Sequence, residues 1–214
     1  LPIFATKKKI GSLSGKAWAA GYVGGILCLL IILFGFVQNE NPLFGIEKNQ
    51  AAHIRIAGPI VAIWFIIFSI PLLIKIKKNK RTVFYKKASL FKEVVSNIKS
   101  LFKKNNQGRF LLSRMVYTDG LNTLFAFGGL YAAGTFKMSF EEIIIFGILI
   151  NITAGIGSFF FSYLDDRIGP KFIIKISLTF LIIFGSTTLI IENKELFLLF
   201  GSILGFFIGS VQSS

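Results

Sequence analysis

The sequence predicts an all-α integral membrane protein with six transmembrane helices, and three observations carry that prediction. Of its 214 residues, 53% are hydrophobic, 25 are Phe and only 16% are charged, whereas soluble domains carry about 25% charged residues. Mean hydropathy is +0.70. Six stretches, 17–37, 56–74, 110–133, 143–164, 172–191 and 196–214, are apolar over the roughly 20 helical residues that a hydrocarbon core of about 30 Å requires. None alternates with the period of two that membrane barrel strands show. Such a composition argues against a soluble enzyme or a disordered tail.

The first span carries Gly21 and Gly25, small residues of the kind that let membrane helices approach closely. It is not a secretory leader, because five further spans follow and no small-residue cleavage site ends it. Cys28 is the only cysteine and His53 the only histidine, so no disulfide, thiolate cluster or haem site is expected within the chain, and no metal or cofactor. The second span is apolar on all sides, with Pro59 and Pro71 expected to bend it or mark its ends. It should face lipid, as should the nearly apolar fifth.

Between spans two and three, Phe91, Val94, Val95, Ile98, Leu101 and Phe102 recur at helical spacing, with Lys92, Lys99, Lys103 and Lys104 on other faces. This reads as a basic amphipathic helix along an anionic leaflet, a linker between two membrane halves. A nucleic-acid or calmodulin role would use the same chemistry but fits the position less well.

The third span is polar in its first half: Arg114, Tyr117, Thr118, Asp119, Asn122 and Thr123. At 1.5 Å per residue Asp119 lies about 14 Å from Phe110, near the bilayer midplane. A carboxylate there is costly and points to ion pairing, proton carriage or substrate contact. Arg114, Thr118 and Asn122 share one face, while Arg114 and Asp119 point about 140° apart, so neither is the other's main partner. A structural clasp between helices uses the same residues and stays an equal alternative. Span four places Gly147, Asn151 and Gly155 on one face, and span six places Gly201, Gly205 and Gly209 four residues apart. These stripes predict close helix packing, with Asn151 either bonding across helices or lining a path.

The cations sort by side. The N-terminal segment, the stretch between spans two and three, and the connection between spans four and five hold 20 of the 24 Lys and Arg residues. The other side keeps Lys48, Arg55, Lys137 and Lys194 with six of the acids. Positive-inside bias therefore places the basic side, and both ends of the six-span chain, in the cytoplasm. The net charge of +14 reports topology and does not call for a nucleic-acid partner.

The connection between spans four and five reads Ser162-Tyr-Leu-Asp165-Asp166-Arg167-Ile-Gly169-Pro170-Lys171. Asp-Arg-x-Gly-x-Lys in a short cytoplasmic turn resembles the loop signature of the major facilitator superfamily. Ser162 stands where the motif usually starts with Gly, and Pro170 replaces the first of its two terminal basic residues. Gly169 permits a tight turn, and an acid that pairs with cations or helix ends would act as a bistable latch. The segments 14–25, 109–122, 127–134 and 151–157 look like the vacuolar-effluxer branch of that superfamily, which includes fungal autophagy-related amino-acid exporters and bacterial members. The resemblance runs across nearly all of the chain.

It implies a twelve-helix major facilitator fold of two six-helix halves, with the present spans as helices five to ten of a longer protein. Residues 1–76 would end the first half, 77–109 would be the cytoplasmic linker, and 110–214 would start the second half. Gly209-Ser-Val-Gln212 looks like the start of the branch's Gly-x-x-Gln motif. The implied function is secondary transport of a small polar solute, amino acids foremost, by alternating access with proton coupling. Asp119, Asn122, Thr118, Arg114, Tyr117 and Asn151 would serve substrate and coupling, and Asp165, Asp166, Arg167, Gly169 and Lys171 the latch. The expected partners are the bilayer, the solute, the proton and the remaining helices of the same chain, in a bacterial plasma membrane. The alternative is a non-transporting scaffold or assembly subunit. Nothing resembles a nucleophile–base pair, so no enzyme is expected.

Overall fold

The computed structural model describes residues 9–40, 42–46, 51–78 and 106–214. They are mostly helical, with short connections and no strand among them. In chain order the helices are α1 (Ile10–Ile32), α2 (Ala52–Arg55), α3 (Ala57–Lys78), α4 (Asn106–Phe136), α5 (Phe140–Ile168), α6 (Pro170–Thr188) and α7 (Lys194–Ser213). A π-helical turn, Leu33–Val37, prolongs α1, and a short 3-10 turn, Leu43–Gly45, follows it. The amphipathic linker expected over 91–104 lies outside the described residues.

Five stretches among the described residues are helical, long and apolar enough to cross a membrane: Ile10–Val37, Ala52–Lys75, Phe140–Ile168, Pro170–Thr188 and Lys194–Ser213. The sixth expected span lies in α4, which at 31 residues is long enough. The polar cluster of its first half keeps it from the same apolarity. The helices overrun the apolar stretches that predicted them, because polar residues at their ends remain helical. α5 begins three residues before Ile143, where Ser139 accepts from the Glu142 backbone N–H and Glu142 returns a bond to Ser139 N. That capping box satisfies two orphan donors at once. Asn193 caps α7 by accepting from Glu195 N at 2.7 Å and Leu196 N at 3.2 Å.

The chain forms two compact units, residues 1–64 with 129–214, and residues 65–128. In the first, α5 packs against both α1 and α7, and α6 packs on α7. α6 buries Ile173, Ser177 and Leu181, one every four residues, and exposes Phe172, Ile182 and Ile183 on other faces. One apolar cluster joins Cys28, Ile32 and Leu33 to Ile144, and another joins Ala132 and Met138 to Phe146 and Phe197. In the second unit the apolar residues Phe65 to Ile74 of α3 are exposed, and α4 exposes Phe110, Leu111, Met115 and Val116. Pro71 lies within α3, which continues through it.

Candidate functional site

α1 starts without a side-chain cap of its own. Its first N–H groups therefore need acceptors from elsewhere. Asp166, from the end of α5, supplies them: Oδ1 accepts from Gly11 N at 2.9 Å and Oδ2 from Ser12 N at 3.0 Å. A carboxylate at a helix N-terminus is favoured by the macrodipole and forms charge-assisted bonds. The approach needs a glycine, since a Cβ on Gly11 would stand 2.9 Å from both Asp165 Oδ2 and Asp166 Oδ1. Asp165 is buried at 7% exposure, and its Oδ1 has no hydrogen-bond partner among the described residues.

Gly169 holds the turn behind this contact. Its φ of 96° is open to glycine and strained for other residues. Its N–H closes α5 onto Asp165 O at 2.9 Å, while its own carbonyl accepts from Phe172 N at 3.2 Å inside α6. Pro170 opens α6 at the one position where a missing N–H costs nothing. Arg167 and Lys171 are exposed beside the turn. Of the five expected latch residues, the structure therefore puts Asp166 on the neighbouring helix, Asp165 beneath it and Gly169 at the bend.

Further along α1, a Cβ on Gly15 would overlap Ser162 of α5, whose Oγ donates to its own helix at Phe159 O. At mid-helix the Tyr22 hydroxyl donates to Gln212 Oε1 of α7. Tyr22 also lies against Gly155, and Asn151 Oδ1 lies 3.4 Å from where a Cβ of Gly25 would be. Asn151 spends its amide N–H on Gly147 O, at 2.7 Å. At the far end Gln38 Nε2 donates to Glu141 Oε1 at 2.5 Å, and Lys194 forms an ion pair with Glu142. With Ser158 Oγ of α5 donating to Gly15 O at 3.5 Å, α1 is thus fastened to α5 at both ends and near its first turns, and to α7 at mid-helix.

The α5–α7 seam is closer still. Cβ atoms on Gly157 or Gly209 would run into the Phe206 and Ala154 carbonyls, and one on Gly205 into Thr153 and Ile150. A Cβ on Gly201 would stand 2.5 Å from the Phe146 ring. Gly147 and Gly155 turn to α1 instead, where a Cβ on Gly147 would meet Leu29 at 3.9 Å and one on Gly155 would meet Tyr22 at 3.4 Å. Gly21, expected to pack, has open space around it among the described residues.

The polar residues of α4 are displayed: Arg114, Thr118, Asp119 and Asn122 are exposed and Tyr117 is half-buried. Thr123 Oγ1 donates to Asp119 O at 2.8 Å. Neither Arg114 nor Asp119 forms an ion pair among the described residues, in keeping with their 140° separation. The residues that sequence reasoning passed over are Gly11, Gly15, Tyr22 and Gln38. Only Gly11 and Gly15 carried a signal, their spacing of four in the first turns of α1.

Residues 5–214 match the family model described as Vacuole effluxer Atg22 like. No curated protein and no solved structure matches the chain.

Proposed function

The chain belongs to the vacuole effluxer Atg22-like family, and from that premise we propose that it is a secondary transporter of small polar solutes, amino acids foremost, working by alternating access. The observation that carries this reading is the seizure of the α1 N-terminus by Asp166. A latch of that kind is made and broken as a unit, because both bonds go to one carboxylate. It gives the bundle two discrete arrangements, which alternating access needs. In this reading α1 to α3 end one half of the molecule, residues 77–109 link the halves, and α4 to α7 begin the other.

Asp119, Asn122 and Thr118 on α4 serve the solute path, with Arg114 and Tyr117 beside them on the same helix and Asn151 on α5. Asp119 is the coupling acid, since a carboxylate at membrane depth is retained at a cost that function offsets. The family description names a vacuole and not a plasma membrane. The charge bias fixes only the side, and the basic loops face the cytoplasm in either membrane.

The test is efflux of labelled amino acids from proteoliposomes of the full-length protein at graded external pH. Wild type is expected to respond to a pH gradient, and Asp119→Asn to lose that response. Unchanged, pH-dependent efflux by Asp119→Asn would remove the coupling role. Efflux equal to that of protein-free liposomes for every solute would favour the scaffold reading.

A further inference from the structure

The same helix pair that Asp166 closes at the cytoplasmic end is closed again at the other end. α1 and α5 run antiparallel, so the start of α1 meets the end of α5 and Gln38, beyond α1, meets Glu141 in the first turn of α5. We propose that Gln38 and Glu141 form a second, outer latch that alternates with the Asp166 latch, and that the π-helical turn Leu33–Val37 sets whether it can close. The proposal rests on the alternating-access reading above.

The two acids at the start of α5 are used differently. Glu142 is committed to its own helix and to α7, through Ser139 and Lys194. Glu141 reaches the other way, to the extension of α1. Gln38 is in place because of the π turn. Its N–H bonds to Leu33 O, five residues back, at 2.8 Å. Compared with an α-helix, that turn holds one extra residue, which rotates everything after it by about 100°. An α-helical register would carry the Gln38 side chain off the face that meets Glu141.

Packing holds the π register. Leu33 and Phe36 are 3% and 2% exposed. Leu33 joins the cluster with Ile144, and the Phe36 ring stacks on Phe44 at 6.3 Å. Turns of this kind persist only where surroundings impose them, and they gather at functional sites. Ile10–Ile32 before it is regular α-helix.

The latches differ in strength. The inner one is a carboxylate on two backbone N–H groups at a helix N-terminus, while the outer one is a single carboxamide–carboxylate bond at the surface. Charge-assisted bonds aligned with a helix dipole hold better than one exposed side-chain pair. The outer end should therefore release first from the state described here, in which both are closed.

The experiment uses the full-length protein in vesicles with Cys28→Ser, Gln38→Cys, Glu141→Cys and, as reporter, Ser12→Cys, whose latch bond comes from the backbone and survives the change. The outer pair is cross-linked by oxidation, and the rate at which a membrane-impermeant maleimide modifies the reporter from the cytoplasmic side is measured. With the outer end locked, the inner end is the only one that opens, so the rate should rise about fivefold and fall back on reduction. An unchanged or lower rate overturns the reciprocity. Deleting the exposed Phe34 restores an α register and should cut the cross-linking yield about fivefold; an undiminished yield overturns the role of the π turn. Neither readout uses a solute. Reciprocal labelling without flux therefore retires the transport reading alone, and flux without reciprocity retires the latch alone.

Discussion

A glycine in a membrane helix matters according to the atom that stands opposite it. Gly157 and Gly209 each face a backbone carbonyl of the partner helix, which no rotamer change can move aside. A Cβ on Gly21 would meet nothing within 4 Å among the described residues. Gly157→Ala and Gly209→Ala are expected to destabilise the protein by about 2 kcal/mol or more, the scale of overpacking a close-packed seam. Gly21→Ala should be neutral or better, since alanine is the better helix former by about 1 kcal/mol. Thermal unfolding of the detergent-solubilised protein orders the three, and a loss at Gly21 equal to that at Gly209 would contradict the packing described. The spacing of Gly201, Gly205 and Gly209 was legible in the sequence because a helix face repeats every three to four residues. The partners were not. Asp166 announces itself by its motif, but the groups it grips are backbone N–H groups of Gly11 and Ser12, which leave no mark in side-chain identity. Gln38 and Glu141 are 103 residues apart, and the π turn shifts Gln38 off the face that an α-helical wheel assigns to it.

Among the elements, α5 is the spine, with α1 along one side, α7 along another, and polar closures at both ends. α6 depends on a different device. Ser177 and Ser210 are fully buried and share a hydrogen bond of 2.7 Å between α6 and α7. Removing one hydroxyl leaves the other without this partner, whereas removing both leaves an apolar contact. Ser177→Ala and Ser210→Ala should each lower stability, and the double variant should lose less than their sum, with a coupling of about 0.6 kcal/mol, the average of such bonds between membrane helices, and no more than about 1.7. Strict additivity in a double-mutant cycle would contradict the pairing. Apolar runs located the helices well, because hydrocarbon thickness dictates their length. They misplaced the ends, because Glu141 and Glu142 at the start of α5 and Asp165 to Arg167 at its end are polar and lie past the apolar limit while still helical. The polarity of α4 was legible as a departure from its neighbours, and it is the helix that fails the apolar criterion the others meet.

For the whole molecule, the uneven charge distribution and the helix order tell one story. In the sequence the connection that carries Asp166 is one of the basic loops, and the other end of α5 holds the Glu142–Lys194 pair and the Gln38–Glu141 bond. A family of effluxers, a polar helix among apolar ones, and closures at both ends of one antiparallel helix pair are what the proposed alternating-access function rests on. The proposed function requires that the protein exchange a solute across the membrane. Counterflow tests it most directly: proteoliposomes of the full-length protein, loaded with one unlabelled amino acid at a time, are given a trace of the same labelled amino acid outside. For at least one amino acid the label should accumulate transiently and saturably above its external concentration, driven only by exchange through the carrier. Label entering no faster than into protein-free liposomes, for every amino acid and with folded protein in the membrane, would contradict the account.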